Sequence, residues 1–109
     1  MFLSMQEVTP RELKKMMDSK EDFQLIDVRE EYETDIASIG GELIPMGDVM
    51  DNLDKIARDK KVVLYCHSGK RSGALVQSLA MYHQLTNIYN LKGGILAWAD
   101  VIDPTMTKY

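Results

Sequence analysis

The sequence predicts an α/β fold with an open, mainly parallel central sheet of four to five strands and helices on both faces. Four short apolar stretches begin near positions 23, 42, 61 and 88, and each has the length and composition of a buried strand. Segments with helical spacing separate them, and parallel strands need such connections whereas antiparallel hairpins do not. With 109 residues, we expect residues 1–109 to form one domain around one core.

The first elements are a short edge strand at Glu7 and Val8 and a capped helix. Thr9 can serve as the N-cap, Pro10 suits the first helical position, and Glu12 is placed to close a capping box. A helix therefore begins at Pro10.

The next strand spans residues 23–29 and carries two charged side chains near its end. Asp27 and Arg29 lie on the same face because strand side chains alternate with a period of two. They can pair with each other or cap a loop, and they can also support the loop at Cys66 by fixing Arg71. Both interpretations can hold together. The acidic residues 30–33 then open a short helix.

Residues 39–42 form a turn, and residues 43–45 form a short strand whose proline places it near an end of the sheet. Asp48 is expected to cap a helix that extends through Ile56. After the helix that follows Cys66 and runs to about His83, residues 87–91 form a further strand. A turn at residues 92–94 leads into a last helix, in which we expect Trp98 to fill the core.

The central stretch places Cys66, which is the sole cysteine, between a strand and a helix. The apolar residues 62–65 precede it, and apolar residues recur at helical spacing after residue 73. Backbone N–H groups of such a loop and of the first helical turn converge on one point, which forms an anion-binding nest beside the thiol. The residues that follow Cys66 and form the candidate binding loop are His67, Ser68, Gly69, Lys70, Arg71 and Ser72.

This nest predicts that Cys66 is ionised. A helix N-terminus contributes about 0.3–1 kcal/mol at an exposed site and up to about 2 kcal/mol when partly buried. This is less than a fully ionised thiol needs. The remaining stabilisation of the thiolate must come from the loop N–H groups, from the hydroxyls of Ser68 and Ser72, and from the charges of Lys70 and Arg71. Under the alternative interpretation, Cys66 ends a buried strand as a small apolar residue.

Composition restricts the partners and the compartment. The 13 basic and 17 acidic residues give a net charge of −4 and a pI near 5.1, which argues against nucleic acid as the main partner. One cysteine cannot form an internal disulfide, and no cysteine–histidine cluster has zinc spacing. There is neither a secretory signal nor an apolar run long enough for a membrane span. We therefore expect a soluble cytoplasmic protein without a metal or cofactor.

Three segments, residues 25–33, 62–72 and 89–98, resemble a single-domain rhodanese in order and separation. This resemblance covers nearly the whole chain and implies a rhodanese-like fold. One segment departs from the family pattern. Residues 34–41, Thr-Asp-Ile-Ala-Ser-Ile-Gly-Gly, replace the Gly-His-Ile-Pro-Gly-Ala type of turn that the family often carries. Because of this difference, the resemblance does not determine the shape of the cleft mouth or the choice of substrate.

The resemblance implies a thiosulfate sulfurtransferase that works in two steps. Cys66 accepts a sulfur atom from an anionic donor such as thiosulfate and becomes a persulfide, and cyanide or a thiol then removes that sulfur. A protein can also serve as the sulfur donor or acceptor. Lys70 and Arg71 suit an anionic donor, and Arg71 could bind it with two hydrogen bonds at once. His67 either assists this chemistry or is only a surface residue of the loop.

Two other functions stay open from the sequence. Cysteine-dependent phosphatases and arsenate reductases, some with the same fold, use a Cys-x5-Arg loop. Here Cys66 and Arg71 form Cys-x4-Arg, and the smaller ring of amides suits a lone sulfur better than a phosphate. The second alternative is a module without catalytic activity that binds a partner or senses redox state through an accessible, ionised Cys66.

Overall fold

A computed structural model describes residues 5–109 and contains one five-stranded sheet in which every pairing is parallel. The spatial order of the strands is β1-β5-β4-β2-β3. The strands are β1 (Glu7–Val8), β2 (Gln24–Asp27), β3 (Glu42–Leu43), β4 (Val62–Tyr65) and β5 (Ile88–Leu91). The helices are α1 (Pro10–Asp18), α2 (Glu31–Ile36), α3 (Lys70–His83) and α4 (Gly94–Val101), with a 3-10 helix over Met46–Lys55.

The sheet is covered on both faces, which confirms the predicted fold class. Strand β4 lies in the middle, and its four residues are all buried. Their side chains alternate, so that Val62 and Leu64 pack in one apolar cluster with α3, while Val63 and Tyr65 pack in a second cluster with α1 and α4. Cys66 continues this alternation and belongs to the cluster on the α3 side.

Local signals at the helix ends gave correct predictions in most places. The Thr9 side chain accepts a hydrogen bond from the Glu12 N–H group, and the Glu12 carboxylate accepts one from the Thr9 N–H group. Strand β1 pairs with β5 at one edge of the sheet, and Trp98 is buried in the second cluster.

No helix within residues 5–109 has both the length and the apolar character needed to traverse a lipid bilayer.

The predicted helix from Asp48 to Ile56 was wrong in type and in its cap. The segment is a 3-10 helix that begins at Met46, and Asp48 lies inside it. Asn52 has non-helical backbone angles, and its side-chain amide donates to the Asp48 carbonyl oxygen over 2.7 Å. Side chains of this type compete with the helical backbone for hydrogen bonds, so regular α-helix does not form here.

Candidate active site

The candidate site lies at the carboxyl end of the central strand, in the turn between β4 and α3. Cys66 directly follows β4, and α3 begins at Lys70 after Gly69, whose φ is +93°. That end of the strands is where open parallel sheets place their ligands. The Cys66 residue is only 1% exposed.

Two backbone N–H groups and one hydroxyl lie within hydrogen-bond distance of the Cys66 Sγ atom. The N–H group of Gly69 lies 3.1 Å from Sγ, the N–H group of Ser72 lies 3.4 Å away, and the Ser72 hydroxyl oxygen lies 3.3 Å away. The two amide groups can only donate to Sγ, so the sulfur acts as a hydrogen-bond acceptor. Although Cys66 packs against apolar residues on one side, its sulfur therefore faces a polar cradle.

Asn90 controls the hydroxyl of Ser72. The Ser72 Oγ atom lies 2.5 Å from Asn90 Oδ1, and the Asn90 side-chain amide donates to the Gly69 carbonyl oxygen over 3.3 Å. A hydroxyl has one proton, so Ser72 can donate to Asn90 or to Cys66 but not to both at once. Both side chains are buried. Sequence reasoning missed Asn90, although an amide within an otherwise apolar strand is a usable signal.

Helix α4 holds the beginning of the loop through main-chain bonds. The N–H group of Ile95 donates to the Cys66 carbonyl oxygen over 2.9 Å, and that of Leu96 donates to the His67 carbonyl oxygen over 3.1 Å. Gly94 permits this close approach. A Cβ atom at residue 94 would lie 2.7 Å from the Cys66 carbonyl oxygen and would also collide with the carbonyl oxygen of His67.

We expect Gly69→Val to slow every reaction of Cys66 by about 10- to 100-fold, because backbone strain of about 1–3 kcal/mol acts on the cradle. The φ of +93° suits glycine, and a Cβ atom there would lie 3.2 Å from the Gly93 nitrogen. Alkylation of Cys66 at fixed pH measures this effect. Gly47→Val is the matched control, because nothing lies within 4 Å of an added Cβ atom at that residue. Equal rates in wild type and Gly69→Val would contradict the prediction.

The end of the loop is held by an ion pair between Arg71 and Glu33 on α2. The two guanidinium nitrogens Nη1 and Nη2 donate to Glu33 Oε2 and Oε1, each over 2.8 Å. The hydrogen bonds from Arg71 lower the pKa of Glu33 to about 2, and the same bonds raise the pKa of Arg71. The Glu33 side chain is 4% exposed and that of Arg71 is 36% exposed.

This ion pair changes the interpretation of Arg71. The two hydrogen bonds that the sequence analysis assigned to an anionic donor are both made to Glu33 in the structure. Glu33 itself was not among the predicted site residues, because the sequence placed it only in an acidic helix start. No local pattern marks a partner that lies 38 residues away.

Asp27 and Arg29 pair with each other, as one of the two interpretations expected. Arg29 Nη2 donates to Asp27 Oδ2 over 2.8 Å, and Arg29 Nε donates to Asp27 Oδ1 over 2.9 Å. Glu33, and neither Asp27 nor Arg29, makes the direct contact with Arg71, so any support that the pair gives to Arg71 is indirect. Arg29 instead contacts the helix that carries Glu33. Its Nη1 donates to the Glu33 carbonyl oxygen over 3.3 Å, and its Nη2 donates to the Ala37 carbonyl oxygen over 2.8 Å. These bonds tie Arg29 to the middle of α2 and to the residue that follows its last turn.

Tyr109 joins this network from the far end of the sequence. Its hydroxyl accepts a hydrogen bond from Arg29 Nη1 over 2.8 Å and donates to Glu33 Oε1 over 3.0 Å. Its ring stacks on that of His67 with 4.1 Å between centroids, and its carbonyl oxygen contacts His67 Nε2. Burial raises the pKa of Tyr109, so its hydroxyl keeps its proton at neutral pH. Sequence reasoning did not identify Tyr109.

The structure thus divides the predicted loop residues into three groups. Gly69 and Ser72 contact the Cys66 sulfur, whereas His67 and Arg71 contact Tyr109 and Glu33 respectively. Ser68 and Lys70 are exposed, and Lys70 forms no salt bridge with any residue in the range 5–109.

Comparison with known proteins identifies the family. Residues 9–101 match the model of the rhodanese-like domain. The chain is 38% identical over 105 residues to the probable adenylyltransferase/sulfurtransferase MoeZ of Mycobacterium tuberculosis. This match covers 94% of the chain but only 26% of the mycobacterial protein. It is 31% identical to the putative sulfurtransferase YtwF of Bacillus subtilis, with 94% of this chain and 98% of that protein covered.

A solved structure shows the same architecture. The rhodanese-like domain protein from Staphylococcus aureus superimposes with a TM-score of 0.79 at 28% identity, and the match covers 96% of this chain and 99% of that protein.

Proposed function

The chain belongs to the rhodanese-like family, and from this membership we propose that it is a sulfurtransferase that carries a sulfane sulfur atom on Cys66. The observation that supports this most directly is the convergence of the Gly69 and Ser72 donors on Sγ. Preorganised donors of this kind stabilise negative charge on the atom that they face. A sulfur that must act as nucleophile, and later as leaving group, needs this stabilisation.

The proposed reaction has two steps with thiosulfate as donor. The ionised Cys66 sulfur attacks the outer sulfur of thiosulfate, a new S–S bond forms, and the original S–S bond breaks. Sulfite leaves with the electron pair of that bond. In the second step cyanide or a thiol attacks the outer sulfur of the persulfide, and Cys66 leaves as the thiolate. No external oxidant or reductant is required.

The residues of the loop have separate proposed roles. Gly69 and Ser72 hold the Cys66 sulfur. The first N–H groups of α3, those of Lys70 and Arg71, have no partner within the helix, and we propose that they hold the outer sulfur or the donor anion. The exposed Lys70 ammonium attracts the anion, while Arg71, bound to Glu33, keeps the loop in position.

Mass spectrometry of the intact protein tests this function. Incubation with excess thiosulfate is expected to add the mass of one sulfur atom at Cys66, and later addition of cyanide is expected to remove it and release thiocyanate. No gain of mass with thiosulfate, glutathione persulfide or a desulfurase persulfide would overturn the proposal. If Cys66 then still reacted with peroxide, the redox-sensing alternative would be favoured.

Lys70→Ala is expected to raise the KM for thiosulfate about threefold to tenfold, with little change in kcat, because one surface charge near a divalent anion contributes about 1 kcal/mol. The increase is expected to shrink at high salt, which screens exposed charges. Steady-state kinetics at low and high salt measures both effects. Lys15→Ala is the matched control, since Lys15 is an exposed lysine on α1. A KM that does not respond to Lys70→Ala would show that this ammonium does not contribute to donor binding.

A further inference from the structure

The entrance to Cys66 is closed in the structure. Cys66 is 1% exposed, so a donor cannot reach its sulfur unless a neighbouring group moves. Most of the loop from residue 66 to residue 72 is tightly held: the carbonyl oxygens of Cys66 and His67 accept hydrogen bonds from α4, and Arg71 is bound by the buried Glu33. We therefore expect a group outside this loop to close the entrance and to be able to move.

Tyr109 has the required position. Its ring stacks on His67, which directly follows Cys66, and its hydroxyl binds Glu33, which holds Arg71 at the other end of the loop. The side chain thus connects the two sides of the loop mouth. It is anchored by one ring stack, the hydroxyl bonds and one contact of its carbonyl oxygen to His67, and individual contacts of these kinds are modest in strength.

The surroundings of Tyr109 favour movement. The residue is 37% exposed, and residues 107 and 108 just before it are exposed as well; Lys108 is held by a solvent-exposed ion pair with Asp100, which stabilises it little. A residue with this exposure is freer to leave than the loop below it, because the loop is tied by main-chain bonds.

We propose that Tyr109 is a specificity-determining residue whose ring covers the entrance to Cys66 and favours small sulfur donors and acceptors over bulky ones. This inference rests on the proposed sulfurtransferase function and names its substrate class. Small anions such as thiosulfate need only a slight displacement of the ring. A bulky persulfide needs the ring to leave His67 completely, and its rate falls by the fraction of time in which the entrance is fully open.

The test compares reagents of different size on Cys66, whose adduct is unambiguous because the chain has one cysteine. Rates of alkylation by iodoacetamide and by a bulky aryl maleimide are measured on wild type, Tyr109→Ala and Tyr109→Phe. Tyr109→Ala is expected to raise the ratio of the maleimide rate to the iodoacetamide rate about tenfold. Tyr109→Phe keeps the stacked ring and is expected to change that ratio by less than about threefold.

Two results would overturn the inference. The first is a ratio of maleimide rate to iodoacetamide rate that does not change in Tyr109→Ala. The second is an equal rise of this ratio in Tyr109→Ala and Tyr109→Phe, which would show that the ring does not restrict entry. Tyr82→Ala is the control, because Tyr82 is 70% exposed near the end of α3. Thermal unfolding confirms that each variant folds. A change in the reactivity of the Cys66 sulfur alone would alter both alkylation rates by the same factor and leave the ratio unchanged.

Sulfur loading separates failure of this inference from failure of the proposed function. The gain of one sulfur is measured with thiosulfate and with glutathione persulfide, and Tyr109→Ala is expected to improve use of the larger donor about tenfold relative to thiosulfate. Loading by both donors without such a change would overturn the role of Tyr109. Absence of loading in every variant would overturn the sulfurtransferase function, with the alkylation ratio still reporting on the entrance.

Discussion

Replacing Cys66 with alanine is expected to abolish sulfur transfer and to leave the fold intact. The proposed mechanism routes every bond change through the Cys66 sulfur, and no other cysteine is present. The substitution leaves the Gly69 and Ser72 N–H groups without their acceptor, which costs about 1–3 kcal/mol. Thiocyanate release and intact mass measure activity, and thermal unfolding measures the stability.

Cys66→Ser is the matched control for this prediction. A serine hydroxyl can accept hydrogen bonds from the same donors, so it restores the polar contacts without a nucleophilic sulfur. We expect both variants to lack activity and Cys66→Ser to be the more stable of the two. Residual thiocyanate release by pure Cys66→Ala protein would place the nucleophile elsewhere.

The second large effect is expected for Glu33→Gln. A neutral amide keeps one acceptor oxygen and replaces the other by an NH2 donor, so Arg71 loses one of its two charge-assisted bonds and the Glu30 N–H group loses its side-chain acceptor. We expect the rate of sulfur transfer to fall about 100-fold, since displacement of a positioned group by about 1 Å can cost that much. The exposed Glu31 lies on the same helix, and Glu31→Gln is the control. Rates of the two variants that agree would contradict the prediction.

The same ion pair predicts a specific pH dependence of stability. Hydrogen bonds from Arg71 lower the pKa of Glu33 from 4.5 to about 2 in the folded protein. The stabilisation from Glu33 is therefore complete above pH 4.5 and is lost as the pH falls toward 2, when the folded protein also takes up the proton. Urea unfolding at neutral and acidic pH is expected to show that the stability difference between wild type and Glu33→Gln shrinks in acid. A difference independent of pH would contradict it.

Most of the fold was predictable because its signals are local. Apolar runs such as residues 62–65 identify buried strands, and the Thr9 and Glu12 pair marks a helix start within four residues. The 3-10 helix was missed because Asn52 competes for backbone hydrogen bonds that the apolar spacing does not report.

The sequence alone determined that Cys66 follows a buried strand and precedes a helix, and hence that Gly69 and Ser72 could aim donors at its sulfur. These contacts span three and six residues, so the local backbone path brings them together. Three contacts follow from tertiary packing alone. Glu33 accepts both hydrogen bonds of Arg71, Asn90 competes with Cys66 for the Ser72 proton, and Tyr109 stacks on His67. Those partners come from other strands, helices and loops, and their placement depends on how the sheet and its helices pack rather than on any spacing along the chain.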